Sequence, residues 1–289
     1  MYNNLPALIL ASGNKKINNK DKCFINLKDK PVIQYTLDAL YANNISNITI
    51  VCNPNDIDEA TNLNLEGRIE FVKGKNNFAE NLEVSKSLVK HREESVLVLY
   101  GDHPFTRDYS LKYFLDRCDT DEYDIFHGAT TKESIDLFKE FYQAGYIHTK
   151  EFAFRAGCMF LLKPQKIDYS ILNVVYKMRV QERFINNLRL FWFIFYNARK
   201  KLGWDTLGAI PLFFRHMGVR FLYNHNSDIY YNKLRNSESS SIRHLEDYAA
   251  RVISQLGDRI KAKFISMPFG ELTLDIDYLK DFENYEKNY

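Results

Sequence analysis

Lysines and carboxylates occur in this chain at places where phosphate chemistry could use them. Behind the short apolar run Leu5–Leu10 come Ala11, Ser12 and Gly13, then Lys15, Lys16, Lys20 and Lys22 within ten residues. Small residues let backbone N–H groups approach phosphate oxygens, Gly13 is free to adopt dihedrals other residues resist, and the lysines can offset a triphosphate's charge. An ordinary strand-to-helix loop with solvated lysines has the same spelling, so two readings are open. The loop is neither a Walker loop nor a Gly-x-Gly-x-x-Gly fingerprint. Further along, the apolar run Val96–Tyr100 ends in Gly101-Asp102-His103-Pro104, which puts Asp102 at the carboxyl end of a buried strand, the edge where ligands bind in open α/β sheets. Near the C-terminus, Asp275 and Asp277 follow another short apolar run at alternate positions and share a face in extended backbone. Carboxylates brought together from distant strands make a hard-oxygen site suited to Mg²⁺, with Mn²⁺ as a substitute. Against this stand a turn or cap role for Asp102 and a helix N-cap role for Asp277 ahead of Leu279–Tyr285.

The elements that must position these residues are legible from periodicity. Strands are expected at Leu5–Leu10, Ile48–Cys52, Val96–Tyr100 and Lys261–Met267, with helices at Val32–Asn43, Phe78–His91 and His244–Leu256. Alternation of strand and helix in the first half predicts an α/β fold, with a mostly parallel sheet covered by helices on both faces. Asn77 with Glu80 three residues on is a capping signature for the second helix. Residues 167–218 carry an aromatic, basic, helical pattern with Tyr176, Phe184, Leu188, Phe191, Phe195 and Leu202 at near-helical spacings. We read it as a helical insertion within one domain spanning 1–289, its apolar side forming core or a homodimer interface, or else a peripheral membrane contact through Trp192 and Trp204. The run Asn236–Ser241 reads as a surface loop.

Composition narrows the classes. The 289 residues include 39 basic and 37 acidic side chains, a formal net charge of +2 that argues against nucleic acid as a partner. Cys23, Cys52, Cys118 and Cys158 are widely spaced, which excludes a Cys-x-x-Cys zinc site and suits reduced thiols. Met1–Pro6 lacks a basic start and a long apolar core, so a cytoplasmic location is expected. The apolar run Leu190–Tyr196 is far below the ~20 residues needed to cross a bilayer.

Taken in order, these segments resemble the MobA-like nucleotidyltransferases, relatives of the molybdenum-cofactor and sugar-phosphate nucleotidylyltransferases. The family's strand, Leu-Ala-Gly-Gly, basic loop and Gly-Lys-Pro correspond to Leu8–Gly13, the lysine loop with Lys22-Cys23-Phe24, and Lys28–Ile33; Ser12 stands where a Gly is usual. Its Gly-Asp-x-Pro corresponds to Gly101–Pro104 and its closing Asp-x-Asp-x-x-x-Asp to Asp275–Asp281, while Phe154–Leu161 resembles the acceptor-contacting strand. The resemblance implies a three-layer sandwich with a Rossmann-like central sheet, of the nucleotide-diphospho-sugar transferase or glycosyltransferase-A type, and transfer of a nucleoside monophosphate from a nucleoside triphosphate to a phosphorylated small-molecule acceptor with release of pyrophosphate. It implies that Leu10, Ala11, Ser12, Gly13, Lys15, Lys22, Asn77, Asn81 and Gly101 bind the nucleotide and that Lys22 and Asp102 are catalytic. Asp102, Asp275 and Asp277 would hold the metal, and Arg155 and Gly157 would meet the acceptor. Arg155 could equally be a surface ion-pair partner. Two other functions share these features: a metal-dependent glycosyltransferase using the Asp-x-Asp spelling, and a non-catalytic nucleotide-binding protein.

Overall fold

The computed structural model describes residues 2, 4–13, 16–17, 20–62, 65, 68–75, 77–138, 146–170, 172–173, 196, 241–253, 259–276 and 279–288. In chain order the strands are β1 (Ala7–Ala11), β2 (Lys16–Ile17), β3 (Lys20–Asp21), β4 (Asn26–Leu27), β5 (Lys30–Pro31), β6 (Ile48–Cys52), β7 (Ile69–Lys73), β8 (Val96–Tyr100), β9 (Ile125–Thr131), β10 (Ile147–His148), β11 (Ala153–Leu162) and β12 (Ala262–Met267). The helices are α1 (Val32–Ala42), α2 (Ile57–Thr61), α3 (Phe78–Leu82), α4 (Asp108–Leu115), α5 (Lys132–Ile135), α6 (Ile242–Ile253) and α7 (Leu279–Asn288). The expected insertion at 167–218 lies almost wholly outside the described residues, and with it the core, dimer or membrane role assigned to its aromatic side.

The main sheet runs β12-β9-β11-β8-β1-β6-β7, with β10 added to β11. The β8-β1-β6-β7 half is parallel, as short apolar strands alternating with helices require, while β11 runs antiparallel between β8 and β9. Side-chain alternation divides the core. Ala7, Ile9 and Ala11 of β1 face α1 and α4 through Ile33, Leu37, Leu40, Leu111 and Phe114, whereas Leu8 and Leu10 face Leu82, Val89, Ile167 and Tyr169. A third cluster joins Ile17, Leu27 and Val32 of the lysine-rich region to Phe105 and to Leu274, Ile276 and Tyr285 of the C-terminal segment. Each fully buried aliphatic contributes roughly 1.5–3 kcal/mol, so this cluster anchors the end of the chain over the carboxyl edge of the sheet.

Several elements end for identifiable reasons. Helix α1 stops where Asn44 adopts a left-handed φ of 59°. Its N–H bonds Tyr41 O at 2.9 Å while Ile45 N bonds Leu40 O at 3.0 Å, a Schellman arrangement sealed by buried Ile45. The helix expected over Phe78–His91 is shorter than its pattern suggests: α3 gives way to a 3₁₀ stretch over Glu83–Leu88. Ser85 and Ser87 there donate to Leu82 O and Val84 O, competing with the α-helical ladder. Strands β7 and β9 were not among the expected elements, whereas β11 contains the Phe154–Leu161 strand that the resemblance implied. The sequences IEFVK and IFHGATT lack the tidy apolar runs of β1, β6 and β8.

The C-terminal segment reaches the edge through a tight passage. A Cβ on Gly270 would lie 2.1 Å from Ser134 O, a contact with backbone that no rotamer relieves. Gly270→Ala is therefore expected to destabilise the fold by about 1–3 kcal/mol in urea unfolding. A wild-type midpoint would show that the passage is slacker than this.

Candidate active site

The parallel half of the sheet presents the ends of β1 and β8 side by side, joined beyond the strands by Gly101 N donating to Leu10 O at 3.0 Å. Leu10 and Ala11 complete β1, and Ser12 and Gly13 leave its carboxyl end. The loop is tethered from the neighbouring strand: Asn53 Nδ2, just past β6, donates to Gly13 O at 2.9 Å, and Lys16 pairs with Asp56 at 3.0 Å. Lys15 is outside the described residues.

Lys22 is delivered to this edge by a turn. Asp21 O accepts from Phe24 N at 3.0 Å and Asp21 Oδ1 accepts from Cys23 N at 2.9 Å, so Lys22 and Cys23 occupy the two central positions. The turn is locked to the start of α1 by Val32 N to Ile25 O and Ile33 N to Cys23 O, both 2.9 Å. From there the lysine side chain runs under the glycine loop, its Cε 3.7 Å from where a Cβ on Gly13 would sit, and its ammonium reaches Asp102 Oδ2 at 2.5 Å. Lys22 is 5% exposed. Asp102 also faces His103 Nε2 at 3.7 Å, and His103 Nδ1 contacts Leu272 O at 3.0 Å, tying the Gly101–Pro104 turn to the C-terminal segment.

That segment brings the second carboxylate. Ile276 N donates to Asp102 O at 3.1 Å, which places Asp275 beside the β8 edge. Arg155 Nη2 lies 3.7 Å from Asp275 Oδ1, and Arg155 Nη1 donates to Thr273 O at 3.4 Å. Arg155 thus adjoins the Asp275 carboxylate, half-buried and engaged with the segment that supplies it. Asp277 is outside the described residues. Asp102 and Asp275 offer carboxylate oxygens on chain segments joined by the Ile276 N to Asp102 O bond, and among the described residues no three His, Cys, Asp or Glu groups gather into a metal cage. Two such carboxylates could hold Mg²⁺, which takes most of its ligands from phosphate and water, rather than Zn²⁺.

Asn81 and Asn77 have different work from each other. Asn81 accepts from Lys75 N at 2.6 Å through Oδ1 and donates through Nδ2 to Lys75 O at 2.8 Å and to Ser12 Oγ at 2.5 Å. Both of its amide hydrogens are engaged within the protein, so it shapes the Ser12 and Lys75 loops around the site. Asn77 caps α3 by accepting from Ala79 N at 2.9 Å, and its Nδ2 bonds Asn173. Gly157 has a packing reason: a Cβ there would come 2.5 Å from Gly128 O, in the irregular stretch of the β9–β11 ladder between Ala156 and Phe160.

Asp21, Asn53 and Asp56 were missed by sequence reasoning. An Asp two residues before the N–H of a turn is the available signal for Asp21; nothing local marks Asn53 or Asp56, which reach the loop from 40 residues away. Asp21 is wholly buried and Asp56 nearly so. Burial pushes the Asp21 carboxyl up to about 6, opposed by the Cys23 N–H and added to by Asp56. An acid whose value is higher folded than unfolded loses stability for the fold as pH rises from the ordinary carboxylate range through 6. Asp21→Asn is therefore expected to raise Tm at pH 7.5, with the gain shrinking toward pH 5. Calorimetry showing equal gains at both pH values would exclude an ionised Asp21 as the cause.

Among the described residues no helix is long and apolar enough to cross a membrane. No curated protein matches the chain in sequence. In structure it is similar to a hypothetical transferase from Thermus thermophilus, with 20% identity, 96% of this chain and 99% of that chain covered, and a TM-score of 0.63. It is also similar to 4-diphosphocytidyl-2C-methyl-D-erythritol synthase from Anaerococcus prevotii, with 13% identity, 98% and 96% covered, and a TM-score of 0.50. These likenesses show the fold, a mixed α/β sheet with mostly parallel central strands of the nucleotide-diphospho-sugar transferase type. The MobA-like NTP transferase domain matches residues 7–166 of the 289, more than half of the sequence and the part that carries Ser12, Lys22 and Asp102, and the chain belongs to that family.

Proposed function

We propose that this nucleotidyltransferase moves a nucleoside monophosphate from a nucleoside triphosphate to a phosphorylated small molecule, a sugar phosphate or similar, and releases pyrophosphate. The observation that carries the reading is the buried Lys22 ammonium, 2.5 Å from Asp102 at the carboxyl edge of the sheet and directly beneath the Gly13 loop. An acceptor phosphate oxygen attacks the α-phosphorus in line, and the bond from that phosphorus to the bridging oxygen breaks as pyrophosphate departs. A phosphate nucleophile is already ionised at neutral pH, so positioning and charge neutralisation provide most of the acceleration. Lys22 offsets charge on the α-phosphate and leaving group, and the Ser12–Gly13 backbone approaches the phosphates. Arg155 faces the incoming acceptor phosphate from β11. Asp102 and Asp275, with Asp277, would hold Mg²⁺, which supplies charge neutralisation across the phosphate oxygens when bound.

The test is a thermal-shift panel of CTP, GTP, UTP and ATP, each with and without Mg²⁺, on wild type and Asp102→Ala. A ligand at one hundred times its Kd adds about 2.7 kcal/mol, so one triphosphate is expected to raise Tm by several degrees only with Mg²⁺, and not in the variant. Turnover with that donor must then liberate pyrophosphate. Sugar transfer from a nucleotide-sugar without pyrophosphate would replace this reading with a glycosyltransferase, and binding with no turnover would leave a nucleotide-binding protein.

A further inference from the structure

Beside the site, Asp21 presents a carboxylate that the mechanism above does not use. It is wholly buried; Oδ1 accepts from Cys23 N at 2.9 Å, and Oδ2 meets no hydrogen-bond donor among the described residues. A buried carboxylate with an unserved oxygen is unfavourable when ionised. A structural turn alone would be satisfied by the one acceptor oxygen that an asparagine provides, so the second oxygen is unexplained by packing.

Charged and titratable groups from two elements bear on it among the described residues. Lys22 and Cys23 come from its own turn, and Asp56 and Cys52 from the end of β6 and the turn after it. Lys16, its backbone partner across the β2–β3 pair, directs its ammonium to Asp56. Lys22 is therefore the adjacent cation that favours ionised Asp21, while Asp56 and burial oppose it. A triphosphate over the Gly13 loop would bring several negative charges to that lysine. The favourable field at Asp21 would then fall and repulsion would rise, so the bound state prefers the neutral acid.

We propose that Asp21 is the positioning residue for Lys22, forming the turn that aims its ammonium, and that Asp21 takes up a proton from solvent as the triphosphate binds. The inference rests on the triphosphate site proposed above. It makes donor binding proton-linked at a residue that never touches the donor: the Lys22 ammonium, paired with Asp102, also lends the neighbouring Asp21 carboxylate part of its support, and added phosphate charge removes that support. The transferred proton ends on Oδ2, the oxygen with no donor, and Oδ1 keeps its bond to Cys23 N–H throughout.

Calorimetric titration of the full chain with the triphosphate selected by the thermal-shift panel, with Mg²⁺, at pH 6 in two buffers of different ionisation enthalpy, measures the proton count directly. Burial pushes the Asp21 carboxyl up to about 6, so near that pH wild type is expected to take up a fraction of a proton more per triphosphate than Asp21→Asn. That substitution keeps an oxygen acceptor for Cys23 N–H, and proton release or uptake by the triphosphate itself is common to both proteins. Asp21→Ala, which loses the turn as well, is expected to bind the triphosphate at least about tenfold more weakly. Equal proton uptake by wild type and Asp21→Asn overturns the inference while leaving the triphosphate site standing. An Asp21→Ala Kd within twofold of wild type overturns the positioning role in the same way. If Asp21→Ala does not fold, the comparison of wild type with Asp21→Asn decides alone. Absence of triphosphate binding by wild type overturns both this inference and the reading on which it rests.

Discussion

Lys22→Ala is expected to lower kcat/KM by about 10²–10³-fold or more, the range for removing one preorganised charge stabiliser from a water-poor site. The size follows from placement. The ammonium is nearly sealed from solvent, held by a turn locked to α1 at two backbone bonds, and already aimed at the edge where the phosphates would lie. An equally charged lysine on a solvated loop would pay for its ordering at each binding event and contribute far less. The loss should fall on kcat more than on KM if Lys22 acts chiefly on charge that develops as pyrophosphate leaves. Lys22→Arg is not expected to restore the rate, because a planar guanidinium spreads its charge over a fork where the wild type seats one compact ammonium against Asp102. Steady-state rates of pyrophosphate release, with far-ultraviolet circular dichroism to confirm folding, decide the matter; wild-type-like rates would remove Lys22 from the chemistry.

Asp102→Ala is expected to abolish measurable turnover, a fall of at least about 10³-fold, and to cost more stability than Lys22→Ala. The activity loss combines two effects: the proposed cation site loses a carboxylate, and Lys22 loses the Asp102 contact that helps to hold it in place. The stability difference has a separate origin. Lys22 has a side chain 7% exposed against 18% for Asp102, so removing the aspartate takes a counter-charge from the more deeply buried of the two, which is the costlier loss. Because the two side chains form one pair, the double variant should unfold at a denaturant concentration higher than additivity predicts. Urea titrations of the four proteins measure that coupling. Strict additivity would mean that the 2.5 Å contact contributes nothing to the fold.

The comparison with sequence-based expectation is uneven in an instructive way. Strands β6 and β8 begin and end where their apolar runs do, because strands buried on both faces need unbroken apolar sequence. Asn77 caps its helix as the Asn-x-x-Glu spelling implies. The longer helix expected behind it was overstated, since apolar periodicity does not register serine hydroxyls that compete for backbone carbonyls. Asn81, expected at the nucleotide, spends its amide on Ser12 and Lys75, a commitment invisible until residues 69 positions apart are brought together.

By itself the sequence determined the α/β class, the small-residue loop after the first strand, the placement of Asp102 at a strand's carboxyl end and the family to which these belong. Each is encoded over a few neighbouring residues, by periodicity, chain flexibility or the chemistry of a short motif. Tertiary structure alone decided that Asp275 reaches the β8 edge through Ile276 and the cluster of Leu274, Ile276 and Tyr285 with Phe105 and Ile17. It alone decided that Lys22 turns toward Asp102 rather than solvent, and that Asp21 is buried with one oxygen meeting no donor among the described residues. The physical reason is that burial and charge pairing depend on which distant segments cover a residue, and no local pattern records that.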